Sequence, residues 1–582
     1  MIEKASSGTI NDVRDALQEG LARHQAGDRS QAVDCYNRVL AMQPNQADAL
    51  HYKGVALLEG GQEEAAVNHL SRAIAGKSNS AEAFNHFGCA LLSLARTSEA
   101  EAAFRRARSL NGEHAEAHFN HATALGMLSR PVEALEALGL AVELAPDQIP
   151  WLIKLAEACK DIGDIERAGQ LLKNALSREG GSLDAFFQRS KLRDLTGQGF
   201  GAMRDLVRCA VLAPGNFVIL NNLASSHMTA LDANTSARIM ARATTLAPQD
   251  PTVRYNYANS LLANGFLKQG WIEYRWRHRK EEVLVERHGL PPEWGGGEIN
   301  NGGLLIYQEQ GIGDELRFAS CLTAAAAAAK TSCLIECDNR LIPLYNRSFP
   351  TLEFMGKLPR YAGPPTSVDF TNVVREKNIA AHSALGDLPQ YVRPTLSSFT
   401  DAGPYLVPAT EARMVWRKKL RQLGPGKKVG FLWRTGLANK VYAHHFFDIL
   451  DLRALFLLPD TRLVNLQYDE CEADLQRAEQ ELGIDIYRPE GIDLRNDLDD
   501  LSALIRELDV VVGPMTSVLA MAGAVGTRCI GMALGLDWTT LGTGQQPWTP
   551  NMTVVYKGLD RNWKSAIEDG AAIVAALPNS SV

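Results

Sequence analysis

At 582 residues the chain is too long for a single hydrophobic core, so two or more domains are expected. Its 46% hydrophobic and 22% charged residues are those of an ordinary globular protein, and a formal charge of -7 argues against a general binder of nucleic acid or anionic membranes. No apolar run reaches membrane-spanning length, and the opening MIEKASSGTINDVRD lacks the apolar core of a signal peptide, so a cytoplasmic protein is expected. The nine cysteines are scattered and suggest no disulfide framework; Cys333 and Cys337, in the strand-like CLIEC, read as buried thiols rather than half of a zinc site.

The first half falls into rows of 34 residues starting at Val13, Ala47, Ala81, Ala115, Ile149, Leu183, Phe217 and Pro251. The eighth column is small throughout: Gly20, Gly54, Gly88, Ala122, Ala156, Ser190, Ala224 and Ala258. So is the twentieth: Ala32, Ala66, Ala100, Ala134, Ala168, Ala202, Ser236 and Gly270. Small residues there let two helices of one unit approach closely. The thirty-second column holds Pro44, Pro146, Pro214 and Pro248, with Gly112 and Gly180 between them, which ends each second helix.

Period and pattern resemble tetratricopeptide repeats, eight helix–turn–helix units over 13–282 after a short tail, 1–12. The resemblance implies that the sixth column faces an inner groove. It holds Asn120, Asn222 and Asn256, with Gln18, His86 and Gln188, interrupted by Tyr52 and Lys154. Side-chain amides both donate to and accept from a peptide backbone, so this column is read as a place to hold an extended acceptor protein. Large O-linked N-acetylglucosamine transferases show a comparable asparagine ladder. A set of solvated polar side chains is the alternative. Trp271, Tyr274 and Trp276 in the last unit are expected to cap the array and dock the second half of the chain.

A glycine- and proline-rich stretch, GLPPEWGGGEINNGG, marks a linker, placed at 283–302. Beyond it, short apolar runs alternate with helical segments, which argues for parallel strands joined by crossover helices. LLIYQ and SCLIEC read as strands of one lobe, 303–408. After a polar link, 409–426, KVGFLW, RLVNLQY, DVVVG, TRCIGMAL and NMTVVYK read as strands of a second lobe, 427–582, with a terminal helix that packs back across the join.

The motif YQEQGIGDELRFAS resembles the opening block of bacterial repeat-containing glycosyltransferases. ECDNRLIPLYNRSFP, GFLWRT, LVNLQYDEC, DLDDLSALIRELDVVVG and TSVLAMAGAVG resemble later blocks of the same family. The resemblance implies a multidomain α plus α/β protein: a tetratricopeptide solenoid followed by a GT-B module of two Rossmann-like lobes, with the active site between them. Related heptosyltransferases share both the glycine–aspartate turn and the later threonine-bearing turn. Some proteins of this architecture glycosylate flagellin. The implied activity is transfer from a nucleotide sugar, of the nonulosonic-acid type where flagellin is the acceptor, to serine or threonine of an acceptor protein, with no metal and no other cofactor.

Glycosyl transfer needs charge or aligned N–H groups for the donor phosphate, a base for the acceptor hydroxyl, and a cleft that holds both. Asp314 is the candidate base; its alternative role is to cap its own helix. Gly311 and Gly313 would allow close backbone approach, or simply permit the turn. Thr516 and Ser517 open a helix whose free N–H groups suit phosphate, although Met515 and Ala520 replace the aspartate and histidine of heptosyltransferases. Arg434 and Lys440 would neutralise the leaving phosphate. Tyr468 would stack on a base and Gln467 read its edge, while His444 and His445 read as loop residues. The DLD acids Asp497 and Asp499 read as the first turn of a helix rather than a metal site. No role follows from sequence for the loop LGDLPQYVRP, Leu385 to Pro394.

Overall fold

The computed structural model describes residues 2–77, 79–280, 285–362, 366–399, 403–435, 446–559 and 562–578, with side chains from residue 12 onward. The N-terminal part is a tetratricopeptide helical solenoid. Its first helix, Ile2–Gln25, begins ahead of the expected start at 13. From the second unit on, the first helix of each pair begins on the first residue of its row: Ala47, Ala81, Ala115, Ile149, Leu183, Phe217 and Pro251. The residue before the row supplies the cap in most of them. Ser80, His114 and Asp250 each accept from a backbone N–H three residues on, and Asn216 accepts from two. The small columns are steric. A Cβ on Gly54 would sit 2.6 Å from Leu70, and one on Gly88 2.5 Å from Phe104.

Contacts divide the chain into two compact units, Met1–Leu192 and Arg193–Val582. In the first, the pairs pack through small and aliphatic residues such as Ala66, Leu70, Ala100 and Phe104, all fully buried. Adjacent first helices are also tied by polar pairs one row and one residue apart: His51 to His86 (2.8 Å) and Asn120 to Asn85 (3.0 Å).

The second unit holds the last repeats and two parallel sheets. Their strands, in chain order, are β1 (Val285–His288), β2 (Gly303–Tyr307), β3 (Cys333–Cys337), β4 (Glu353–Gly356), β5 (Thr366–Asp369), β6 (Ile379–Ala384), β7 (Lys427–Phe431), β8 (Thr461–Asn465), β9 (Ile486–Tyr487), β10 (Val510–Pro514), β11 (Arg528–Ala533) and β12 (Met552–Tyr556). The first sheet runs β4-β3-β2-β6, beside a two-stranded β1-β5 pair; the second runs β12-β11-β10-β7-β8-β9. Every pair is parallel. Strands β2, β3, β7 and β10 are buried along their whole length, as expected for sheets covered on both faces.

Numbered within its lobe, the second sheet has the order 3-2-1-4-5-6 of a doubly wound nucleotide-binding sheet. Its direction of winding reverses between β7 and β10. In the first sheet the reversal falls between β2 and β6. Ligands of such sheets bind outside the carboxyl ends of the strands at these reversals.

Two expectations change here. The terminal helix, Trp563–Ala576, does not cross to the first lobe: Trp563, Ile567, Ala571 and Val574 pack on Val429, Val510, Val512 and Ile530 of the second sheet's own face. The polar link contains a helix, Thr410–Arg421, fixed to the second lobe by Trp416 Nε1 donating to Asp500 (3.1 Å) and by Arg413 and Arg417 pairing with Glu507.

The last repeat shares a core with both sheets. Trp271 and Tyr274 are 2% and 1% exposed and meet Trp538, Trp548 and Phe318 at ring-centre distances of 5.3 to 6.4 Å. Trp271 Nε1 also donates to the Arg393 carbonyl at 3.3 Å. The guanidinium groups of Arg254 and Arg279 lie 4.7 and 4.4 Å from the Trp276 ring centre.

Candidate functional site

Strand β2 ends at Tyr307, and the glycine motif after it turns directly into the helix Ile312–Ala319. Gly311 is its N-cap, with φ -73° and open space where a Cβ would stand. Neither motif glycine takes a positive φ, so the turn itself does not demand them. Gly313 has a different reason. A Cβ there would lie 3.5 Å from the backbone N and Cα of Ser517. The starts of two helices, Ile312–Ala319 and Ser517–Val525, therefore meet, one from each sheet.

Their meeting point forms one wall of a pocket of about 450 Å³. Ile312, Gly313, Leu316 and Arg340 line it from the first lobe; Thr435, Tyr468, Arg495, Met515, Thr516 and Ser517 are among those from the second. Thr435 follows β7 and Met515 follows β10, so the pocket opens at the winding reversal of the second sheet. Thr516 is the N-cap of its helix, but its hydroxyl caps nothing: Thr516 Oγ1 is buried and has no hydrogen-bond partner among the described residues. A helix start with open N–H groups and an unpartnered hydroxyl suits an anionic oxygen. Met515 packs over Gly531 instead of presenting a carboxylate, and Ala520 is buried.

Asp314 does not line this pocket. It sits in the first turn of its helix without capping it, which removes the helix-cap alternative. Its Oδ1 accepts from Arg317 Nη1 at 2.7 Å. In the orientation that satisfies both ends of its amide, Gln310 donates to Asp314 Oδ2 (2.8 Å) and accepts from Tyr274 and Arg277. Partial burial, which leaves the side chain 35% exposed, raises the Asp314 pKa; Arg317 pulls it down, and Glu309 and Asp537 push it up again. In turn its charge helps to raise the pKa values of Tyr255 and Tyr274 in the last repeat, which are lifted chiefly by burial. Asp314 thus faces the end of the solenoid, while Ile312, Gly313 and Leu316 face the pocket.

The remaining predicted residues divide. Tyr468 lines the pocket beside Thr435, its hydroxyl 3.4 Å from Thr435 Oγ1. Gln467 does not offer its amide to a base. Its Oε1 accepts from the N–H groups of Trp433 and Arg434 (3.2 Å each), and its Nε2 donates to the Arg434 carbonyl. Arg434 is spent on Asp469, at 2.9 Å, and on Asp474, so its charge is already matched. Lys440, His444 and His445 lie outside the described residues. Asp497 and Asp499 stand at the start of the helix Leu498–Arg506, where Asp499 pairs with Arg347.

In the solenoid, Asn256 Nδ2 donates to Asn221 (2.8 Å), Asn222 to the Val218 carbonyl (2.8 Å), and Asn120 to Asn85. Each predicted amide spends donor capacity on a neighbour: Asn120 and Asn256 on the adjacent row, Asn222 on its own helix, none of which the column pattern revealed.

Sequence reasoning missed the loop LGDLPQYVRP. It follows β6, and its Asp387 meets Glu309 of the glycine-turn motif around Arg277 from the last repeat. Arg277 donates to Glu309 at 3.0 and 2.8 Å and lies 2.8 Å from Asp387 Oδ1. His278 Nε2 lies 3.2 Å from Asp387 Oδ2. The repeated acids at the ends of β2 and β6 were the only signal, since their basic partners lie in a different domain of the sequence.

Comparison with known proteins places the tetratricopeptide repeat family on residues 17–81 and 87–149. Protein FlbA of Caulobacter vibrioides is 33% identical over 318 residues, 53% of this chain and 52% of that protein. The chain thus spans about half the length of the curated relative it matches. Among solved structures, MamA is 25% identical over 28% of this chain and 94% of its own, with a TM-score of 0.26. YrrB, described as a repeat protein with an unusual peptide-binding site, is 19% identical over 32% of this chain and 96% of its own, with a TM-score of 0.30.

Proposed function

We propose that the two-lobed region is a metal-independent glycosyltransferase of GT-B type, and that the repeats present an acceptor protein to it in the cytoplasm. The observation that carries this reading is the buried Thr516 hydroxyl, unpartnered among the described residues, where two helix starts meet at a winding reversal. A nucleotide sugar would place its phosphates there, with Tyr468 against the base and Thr516 and Ser517 against phosphate oxygen. Asp314, on the adjoining side of the helix and facing the last repeat, takes the proton of the attacking serine or threonine hydroxyl. A carboxylate whose pKa is raised suits that task better than one fully solvated. Flagellin with a nonulosonic-acid donor is the pair to try first, on the strength of the motif resemblance.

The direct test is thermal. A nucleotide sugar at 100 times its Kd adds about 2.7 kcal/mol to native stability, a clear rise in melting temperature. Thr516→Val is expected to remove most of that rise; a panel of nucleotide sugars with no effect on the wild type sinks the reading. In a transfer assay read by mass, Asp314→Asn is expected to slow transfer by about 10²–10⁴-fold. Undiminished transfer by that variant rules Asp314 out as the base.

A second reading has its own support. Arg434 is neutralised by Asp469 and Asp474, and Gln467 is taken up by the backbone. Both favour a repeat adaptor whose α/β region binds without transferring. Acceptor binding with no nucleotide stabilisation selects that reading.

A further inference from the structure

A second concavity shares no lining residue with the first and plays no part in the proposal above. Its volume is about 480 Å³. Arg275, Trp276, His278 and Arg279 wall it from the end of the last repeat; Arg287 comes from β1 and Tyr307 from the carboxyl end of β2. Glu293 and Gln390 complete the polar lining.

Among the described residues the charges in this pocket do not cancel. Glu293, its one lining acid, is held by Arg275, which also lies 3.6 Å from Asp387. His278 is turned to Asp387 and Glu309. Arg279 and Arg287 form no ion pair among the described residues. Glu336, the carboxylate whose field reaches Arg287, accepts from the N–H groups of Gln308 and Leu358. Both guanidinium groups are nevertheless held in place. Arg279 lies 4.4 Å from the Trp276 ring centre and Arg287 4.4 Å from that of Tyr307; Arg287 Nη1 also donates to the Val285 carbonyl. A guanidinium stacked on a ring keeps donors at its edge, and two such cations set beside one concavity favour a doubly charged oxyanion.

Two further features refine the chemistry. Gln390 Oε1 is buried and has no partner among the described residues, so a ligand hydroxyl would satisfy an acceptor that they leave open. The pocket also sits at the carboxyl end of β2, beside the winding reversal of the first sheet, where parallel sheets take their ligands. We infer that this pocket binds a phosphomonoester carrying a hydroxylated ring, a sugar phosphate or a nucleoside monophosphate. Arg279 and Arg287 hold the phosphate and Gln390 accepts from a ring hydroxyl.

Calorimetric titration of the full chain tests this, with glucose 1-phosphate, UMP and AMP as probes and inorganic phosphate as the minimal anion. Saturable binding of a phosphomonoester is expected, weakened at least tenfold by Arg279→Gln and again by Arg287→Gln. Thr516→Val should leave it unchanged. Gln390→Leu is expected to lower affinity for the ring-bearing probes and not for phosphate. Whether the sugar phosphate or a nucleotide binds more tightly distinguishes the two sources of the same chemistry. Binding that survives both arginine substitutions, or that Thr516→Val abolishes, belongs to the interlobe pocket and overturns the inference. So does the absence of binding at millimolar probe. Unaltered melting temperatures of the two arginine variants separate a lost site from a lost fold, and Arg279, being exposed, is the safer of the two.

Discussion

Replacing Arg277 by alanine is expected to cost on the order of 3–5 kcal/mol, the range for breaking a buried ion pair from one side. The side chain is 6% exposed and holds two carboxylates at once, with those of Glu309 and Asp387 7% and 10% exposed. Burial alone would raise the Asp387 pKa, but Arg277, His278 and Arg275 together hold it far below the usual carboxylate range. A depressed carboxylate contributes stability above its unfolded pKa and loses it as pH falls through the folded value. The wild type therefore keeps this contribution at neutral pH, and Arg277→Ala loses it there. Asp387 and Glu309 would be left buried with part of their compensation gone. Arg277→Lys keeps a charge but not the two-pronged contact with Glu309, and an intermediate loss is expected. Unfolding followed by tryptophan fluorescence checks this, because Trp271, Trp538 and Trp548 pack in the same unit. A change below about 1 kcal/mol for the alanine variant would show that the cluster carries little stability.

Glu315→Gln is expected to stabilise the protein above neutral pH by about 2–3 kcal/mol. Glu315 is 1% exposed; its Oε1 accepts from the Asp338 N–H at 2.9 Å, and its Oε2 has at most the Gln308 side chain beside it among the described residues. Burial raises its pKa to about 7, against the downward pull of that hydrogen bond. The native state therefore binds more protons than the unfolded chain between about pH 4.5 and 7. Wild-type stability falls as pH rises through that window, by up to about 1.4 kcal/mol for each pH unit. Glutamine can still accept from Asp338 and carries no charge to desolvate, so the fall should vanish. The Tyr345 hydroxyl, buried and unpartnered among the described residues, is near enough for the Glu315 charge to raise its pKa further. Melting curves at pH 5 and pH 8 decide the matter: a constant difference between variant and wild type at both removes Glu315 as the source.

The two halves of the chain were legible to different degrees. A 34-residue period locates helices because each unit repeats the same local problem, two helices that must approach through small residues. The long strands β2, β3, β7, β8, β10, β11 and β12 were readable as apolar runs. The short strands β1, β4, β5 and β9 were not, because two to four partly exposed residues carry little periodicity, and neither was the edge strand β6, whose IAAHSA has no long apolar run. Among the site residues, Thr516, Ser517 and Tyr468 could be placed at strand ends, where a parallel sheet takes its ligands. Arg434 and Gln467 are also at strand ends, yet neighbours 33 to 40 residues away occupy them. Nothing local to either residue announces such a partner.

By itself the sequence determined the repeat register, the helix starts, the alternation that makes the sheets parallel and the turn that puts Asp314 in a first helical turn. These are consequences of spacing, and spacing acts within a few tens of residues. Tertiary structure decided which groups are spent and which are open. It brought Arg277, Glu309 and Asp387 together across more than a hundred residues, turned Asp314 toward the last repeat, and left the Thr516 hydroxyl without a partner. Those outcomes depend on which buried charges and donors meet across the packed elements, and burial makes an unmatched one costly.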